Sequence, residues 1–166
     1  MSDATPPEGV VSAASSAEGI TIVRIFDAPR ELVFKAWTEP ERFATWFGEH
    51  GSSMPVDRVS MDVRPGGTWS ATMFHGPDRI EIPFSGEYRE VDEPERLVLT
   101  LVDPEDPESG NIEVMTVVLE DLGEGRTQMT FTQTGNLPAD EYSRAMRGSL
   151  IFFDRLNDHL KARHDT

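Results

Sequence analysis

The sequence predicts an α+β fold in the order strand, two short helices, six strands and one long helix (β-α-α-β6-α). Three observations predict it. From Pro55 to Thr134 apolar residues recur with period two, in runs joined by turn-forming stretches, which is the pattern of an antiparallel meander. From about Pro138 to Ala162 they recur with helical period instead. Between the first strand and the meander, two short stretches break the alternation.

The elements follow in order. "MSDATPPEGVVSAASSAEG", Met1 to Gly19, is small, polar and proline-bearing, and reads as a disordered, solvated tail ahead of a single domain over residues 20–164. It lacks the basic start and sustained apolar core of a secretory signal. "ITIVRIF" (Ile20–Phe26) is β-branched and aromatic, hence a strand. In "DAPRELVFKAW", Pro29 suits a first helical turn, and Leu32, Val33, Ala36 and Trp37 keep helical spacing. "TEPERFATWFG" starts a second helix, with Thr38 expected to cap it, Phe43, Trp46 and Phe47 as its apolar face, and Gly48 as its stop.

Strands then follow one another. Val59, Met61 and Val63 alternate with polar neighbours, and Pro65-Gly66-Gly67 turns the chain into Trp69, Ala71 and Met73. "RIEIPFSGEY" sets Ile80, Ile82, Phe84 and Tyr88 on one face. "RLVLTLV" (Arg96–Val102) is apolar on both faces, as a covered strand would be. "IEVMTVVLE" (Ile112–Glu120) and "RTQMTFTQT" (Arg126–Thr134) are joined by a glycine-bearing loop. In the last helix Tyr142, Met146, Ser149, Phe153, Leu156 and Leu160 fall in one narrow arc that must face the sheet.

Composition narrows the function. The 166 residues carry a formal net charge of −15, with a pI of about 4.5. Such a chain repels nucleic acid and anionic membranes, whose binding depends on basic groups replacing counterions. No apolar run approaches the roughly 20 residues of a membrane-spanning helix. The chain has no cysteine, which removes disulfides, thiolate catalysis and thiolate metal sites and is compatible with a cytoplasmic location.

Motifs narrow it further. "RPGGTW" leads into a strand, not onto a helix N-terminus, so it cannot cradle a phosphate as a glycine-rich loop does. The four histidines, His50, His75, His159 and His164, form no i,i+4 helical pair and no HExxH motif. No metal or cofactor is therefore expected. No GxSxG elbow is present, and with 30 acidic residues the proximity of any two is uninformative. Three features remain open between core filling and pocket lining. His75 shares strand parity with Trp69 and Met73. Met61, Met73, Met115, Met129 and Met146 all fall on strands or the long helix, and methionine serves cores and adaptable pockets alike. Ser149 lies inside the helical arc and Asn157 at its edge, where an unpaired polar group costs about 1–3 kcal/mol.

"ITIVRIFDAPRELVFKAWTEPERFATWFG", "MDVRPGGTWSATM", "FSGEYREVDEPERLVLT", "TVVLEDLGEGRTQMTFTQTG" and "FFDRLNDHL" together resemble the activator-of-Hsp90-ATPase-homologue-like (AHSA1-like) branch of the START-like (SRPBCC) superfamily, from about Ile20 to Leu160. The resemblance implies the helix-grip fold, an antiparallel sheet gripping a C-terminal helix around a hydrophobic cavity. In many relatives a Trp follows the glycine of the last helix; here Gly148 is followed by Ser149, which would enlarge or polarise the cavity.

Parity and helical arc then assign the cavity. Trp69, Met73, Phe84, Met115, Phe131, Met146 and Phe153 would wall it, and His75, Ser149 and Asn157 would orient a ligand by hydrogen bonds. Trp37, Trp46 and Phe47 would close one end. The expected function is non-catalytic binding of a small, largely hydrophobic, aromatic or polycyclic molecule. The resemblance also offers a module that stimulates an Hsp90-type chaperone ATPase, and a polyketide cyclase or aromatase with His75 as its acid–base group. Ile151 falls opposite the stripe, where it would offer an apolar contact to a second copy in a homodimer.

Overall fold

The computed structural model describes residues 9–48, 51–102, 108 and 110–164. His50 lies outside the described residues. The chain builds one antiparallel sheet in the order β1-β2-β9-β8-β7-β6-β5-β3, with β4 also paired to β5. The strands are β1 (Val10–Ser16), β2 (Gly19–Phe26), β3 (Ser52–Ser53), β4 (Val59–Met61), β5 (Thr68–His75), β6 (Ile80–Asp92), β7 (Arg96–Val102), β8 (Ile112–Gly123) and β9 (Arg126–Thr134). Helices α1 (Arg30–Thr38) and α2 (Pro40–Trp46) follow β2, and α3 (Ala139–His164) closes the chain.

The six strands of the meander and the three helices lie where their periodicity puts them. The first strand does not stand alone. The expected tail is a strand from Val10 to Ser16, hairpinned onto β2 from Val10↔Arg24 to Ser16↔Gly19. Ser16 Oγ accepts from the Glu18 N–H at 3.0 Å and tightens that turn. Serine and alanine hide the strand in the sequence, because they carry little β propensity. Their small side chains let α3 pack directly against β1 and β2. Residues 1–8 of the expected tail lie outside the described residues.

Local details differ from expectation. Thr38 does not cap α2: its hydroxyl donates to the Phe34 carbonyl at 2.9 Å as the last residue of α1, and Glu39 takes the cap position. Ile80 is 58% exposed, because the hairpin tip carries it past the edge of the core. Ile151, expected to be exposed, is half-buried. The Pro-Gly-Gly turn behaves as expected. Gly66 sits at φ +86, its N–H donates to the Tyr88 carbonyl at 2.8 Å, and the Tyr88 N–H donates back to Gly67 O at 2.8 Å. The turn thus extends the β5–β6 ladder, with a conformation that favours glycine.

Two charged side chains fix the helix over the sheet. Arg24 shares the inward face of β2 with Ile20, Ile22 and Phe26 and is 1% exposed; its guanidinium meets Asp154 of α3 at 2.7 Å. At the other end of α3, Glu113 of β8 is 2% exposed and gathers donors from three places. Gln133 Nε2 lies at 3.1 Å, Asn111 Nδ2 at 2.9 Å and the Asn136 N–H at 3.2 Å. The Tyr142 hydroxyl also bonds Glu113, and it accepts the Leu137 N–H at 3.4 Å. A buried carboxylate is tolerated when its lone pairs are met in this way.

Candidate functional site

The interior is packed by aromatic rings from both short helices, the sheet and α3. Trp37 meets Trp46 edge-on at 5.0 Å and stacks over Phe131 at 6.3 Å. Phe43 stacks on Phe47 at 4.4 Å and meets Trp46 edge-on at 5.4 Å. Phe131 meets Phe153 of α3 at 5.1 Å. Such pairs add about 0.5–1.5 kcal/mol beyond the area they bury. The indole of Trp46 donates to the Ala36 carbonyl at 2.9 Å, which ties α2 to α1.

The ten residues assigned from the sequence separate into three places. Trp69, Met73, Met115, Phe131 and Phe153 are each no more than 4% exposed, and they fill the interior. Trp69 is a structural pillar: its indole donates to Thr100 O at 2.9 Å, and its ring meets Phe43 at 6.0 Å and Phe47 at 6.3 Å. Gly86 leaves the room this indole needs, since a Cβ there would approach Trp69 Nε1 to 2.7 Å. These five lie in the buried cluster toward which parity directs them.

A second group lies at the margin of that block. Phe84 is 8% exposed and meets Phe47 edge-on at 5.1 Å. Phe47 in turn meets Phe152 of α3 at 4.9 Å. Ser149 stands about one helical turn before Phe152, and Met146 about one turn before that. Both belong to the inward arc of α3, yet both are only half-buried, as are Ala145, Leu150 and Phe152. On either side of this stretch the arc is sealed: Tyr142 is 0%, Phe153 2%, Leu156 0% and Leu160 1% exposed. His75, half-buried at the end of β5 and paired across to Ser52 and Ile80, keeps the inward parity of Met73; its Nδ1 has no hydrogen-bond partner among the described residues.

Asn157 belongs to neither group. It is 9% exposed and lines a groove of about 510 Å³ with Val10, Val11, Ile25, Asp27 and Arg126, where the ends of β1, β2 and β9 meet α3. The arc places it inward; the breadth of α3 and the unanticipated strand β1 place it beside a different depression.

Sequence reasoning missed Arg24–Asp154 and the Glu113 network, although both carry a signal. Arg24 and Glu113 occupy inward positions of their strands by parity, where a charge demands a partner. Two tyrosines differ in how that demand is met. Burial raises the Tyr142 hydroxyl above its ordinary pKa of 10.0, with the Glu113 carboxylate adding to the shift. Burial also raises Tyr88, strongly, with the Asp62 carboxylate contributing, but the Tyr88 hydroxyl has no partner among the described residues. Trp37 Nε1 is buried without a partner among them as well.

Comparison with known proteins supplies the context for this arrangement. The family described as "Activator of Hsp90 ATPase homolog 1-like protein" matches residues 27–161. The chain belongs to that family. Solved structures share its fold throughout. Protein NE0264 from Nitrosomonas europaea is 26% identical, with a TM-score of 0.75 over 89% of this chain and 96% of that one. Protein CV1439 from Chromobacterium violaceum is 22% identical, with a TM-score of 0.74 over 86% of this chain and 97% of that one. The AHSA1 protein of Silicibacter pomeroyi is 20% identical, with a TM-score of 0.73 over 88% and 99%. No curated protein matches the chain. This family member therefore has the helix-grip, START-like fold: a curved antiparallel sheet with a long C-terminal helix. None of its helices, among the described residues, is long and apolar enough to cross a membrane.

Proposed function

We propose that this chain binds a small, largely apolar molecule, aromatic or polycyclic, without transforming it, at the half-open stretch of α3 bounded by Met146, Ser149, Phe152, Phe47 and Phe84. One observation carries the reading. Residues in the middle of the inward arc keep accessible surface, while residues one turn away on either side are sealed. An apolar arc that is not filled by its own protein offers a site that a ligand would fill, and each methylene group buried there is worth about 0.8 kcal/mol.

The surroundings support an aromatic ligand. Phe47 already meets both Phe84 and Phe152 edge-on, and a planar ligand extends that arrangement. Ser149 supplies a hydroxyl to the half-buried stretch, suited to a single oriented hydrogen bond. The five sealed residues form the floor that holds these groups in place. Glu113 acts as an anchor and not as a base, because its oxygens already accept from Gln133, Asn111, Asn136 and Tyr142.

The test is a thermal-shift screen against aromatic polyketides, flavonoids and fatty acids, run on the natural chain and on Ser149→Trp. The reading expects stabilisation by aromatic members that the substitution abolishes. Hits unaffected by Ser149→Trp would move the site elsewhere. Stimulation of an Hsp90-type ATPase in the absence of any hit would favour the chaperone module, and an altered product profile that depends on His75 would favour a cyclase.

A further inference from the structure

The chain has no cysteine and seven methionines, so thioethers are its only sulfur open to oxidation. Met1 lies outside the described residues, and the other six fall into two classes. Met54, Met73, Met115 and Met129 are sealed, each at most 8% exposed. Met61 and Met146 are half-buried. A sealed thioether is shielded from an oxidant dissolved in water, and a half-buried one meets it.

The two accessible methionines stand in different surroundings. Met61 ends the three-residue strand β4, off the main path of the sheet, where it pairs with Trp69. Met146 stands on the inward arc of α3, in the half-open stretch that also carries Ser149 and Phe152. There its thioether is part of the apolar surface offered to a ligand. Ser149 follows three residues later, so the two side chains are neighbours on one helical face.

We propose that Met146 is an oxidisable site that controls occupancy of the α3 stretch, a proposal that rests on the binding reading of that stretch. The oxidant is hydrogen peroxide. A lone pair of the Met146 sulfur attacks one peroxide oxygen and the O–O bond breaks. The departing hydroxide takes the proton of the transferred oxygen and leaves as water. Sulfur gives up two electrons, the peroxide gains them, and one oxygen remains as the sulfoxide. Oxidation thus turns a flexible apolar side chain into a polar acceptor. An apolar ligand would bury that acceptor without a partner, which disfavours binding. The Ser149 hydroxyl, one turn away, is placed to donate to the sulfoxide and is then lost to the ligand. Methionine sulfoxide reductases restore the thioether, so the change is reversible.

The probe is 1-aminoanthracene, a neutral planar aromatic whose fluorescence reports apolar surroundings. The full chain is treated with hydrogen peroxide, oxidation at each methionine is followed by peptide mass spectrometry, and the Kd of the probe is measured before and after. Met146 should oxidise about tenfold faster than Met73, Met115 and Met129. The Kd should rise about tenfold, at an unchanged unfolding midpoint, and return after treatment with methionine sulfoxide reductases of both stereospecificities. Met146→Leu should show no rise on peroxide treatment, whatever its starting Kd, and Met61→Leu should show the full rise. Ser149→Trp separates the two claims. Equal binding of the probe to Ser149→Trp, or no binding to the untreated chain, would overturn the binding reading and this proposal with it. Binding that Ser149→Trp abolishes but oxidation leaves unchanged would overturn this proposal alone. So would a Met146→Leu protein as sensitive as the natural chain, sealed methionines that oxidise as fast as Met146, or an unfolding midpoint that falls with the affinity.

Discussion

The two ends of the apolar interior are built from the same residue types and differ in closure. Around α1 and α2, the rings of Trp37, Phe43, Trp46, Trp69, Phe131 and Phe153 touch one another, and each residue is at most 2% exposed. Along the middle of α3, Met146, Ser149 and Phe152 share the inward direction and remain half-buried. Facing inward and being sealed are therefore separate properties. Inwardness comes from helical period and strand parity. Closure depends on how many bulky partners converge from other elements, and at the first end both short helices, β5, β9 and α3 all contribute rings.

Substitutions at the sealed end should cost the most stability. Trp46→Ala leaves a large void and removes the bond to the Ala36 carbonyl, so it should cost about 3–5 kcal/mol in urea unfolding. A cost below that of an ordinary surface change would mean that this end is not the closed one.

Tyr142→Phe should be next, at about 1–2 kcal/mol near neutral pH, because it strips a donor from the buried Glu113 carboxylate. Tyr88→Phe should be the smallest, within about 0.5 kcal/mol or slightly stabilising, since its hydroxyl is buried without a partner among the described residues. The two tyrosines also predict the response to alkali. Both pKa values are raised in the folded state, so the folded protein keeps protons that the unfolded chain releases. Their stabilising contribution is complete below the unfolded value near 10 and is lost as pH rises above it. Stability should therefore fall above about pH 10, with Tyr88→Phe flattening that fall. Phenolate absorbance that rises before unfolding, in the native state, would contradict the assignment.

Much of this fold was legible, for reasons that particular residues make plain. Trp69, Ala71 and Met73 announce an inward face through period two, and the spacing from Tyr142 to Leu160 announces one through period 3.6. These patterns are local, so a sequence displays them. Strand β1 was not legible, because "VVSAASS" owes its conformation to pairing with β2 and to α3 packed above it. The family resemblance identified the helix-grip fold, and its match over residues 27–161 excludes this strand. Parity places Trp69, Met73, Met115 and Phe131, and helical period Phe153, where the structure buries them. Neither could tell a filled position such as Phe153 from an open one such as Ser149, since that depends on what arrives from the other side. Asn157 shows the same limit, with its neighbours set by strand ends far away in the chain.

The claim that the middle of α3 faces unfilled space is tested most directly by the unfolding free energy of Ser149→Trp. An indole placed in an open arc should change stability by less than about 1 kcal/mol, and it would fill the proposed site. A loss of about 3 kcal/mol or more, the response of an already packed core to an added ring, would show that the arc is closed and would contradict the account.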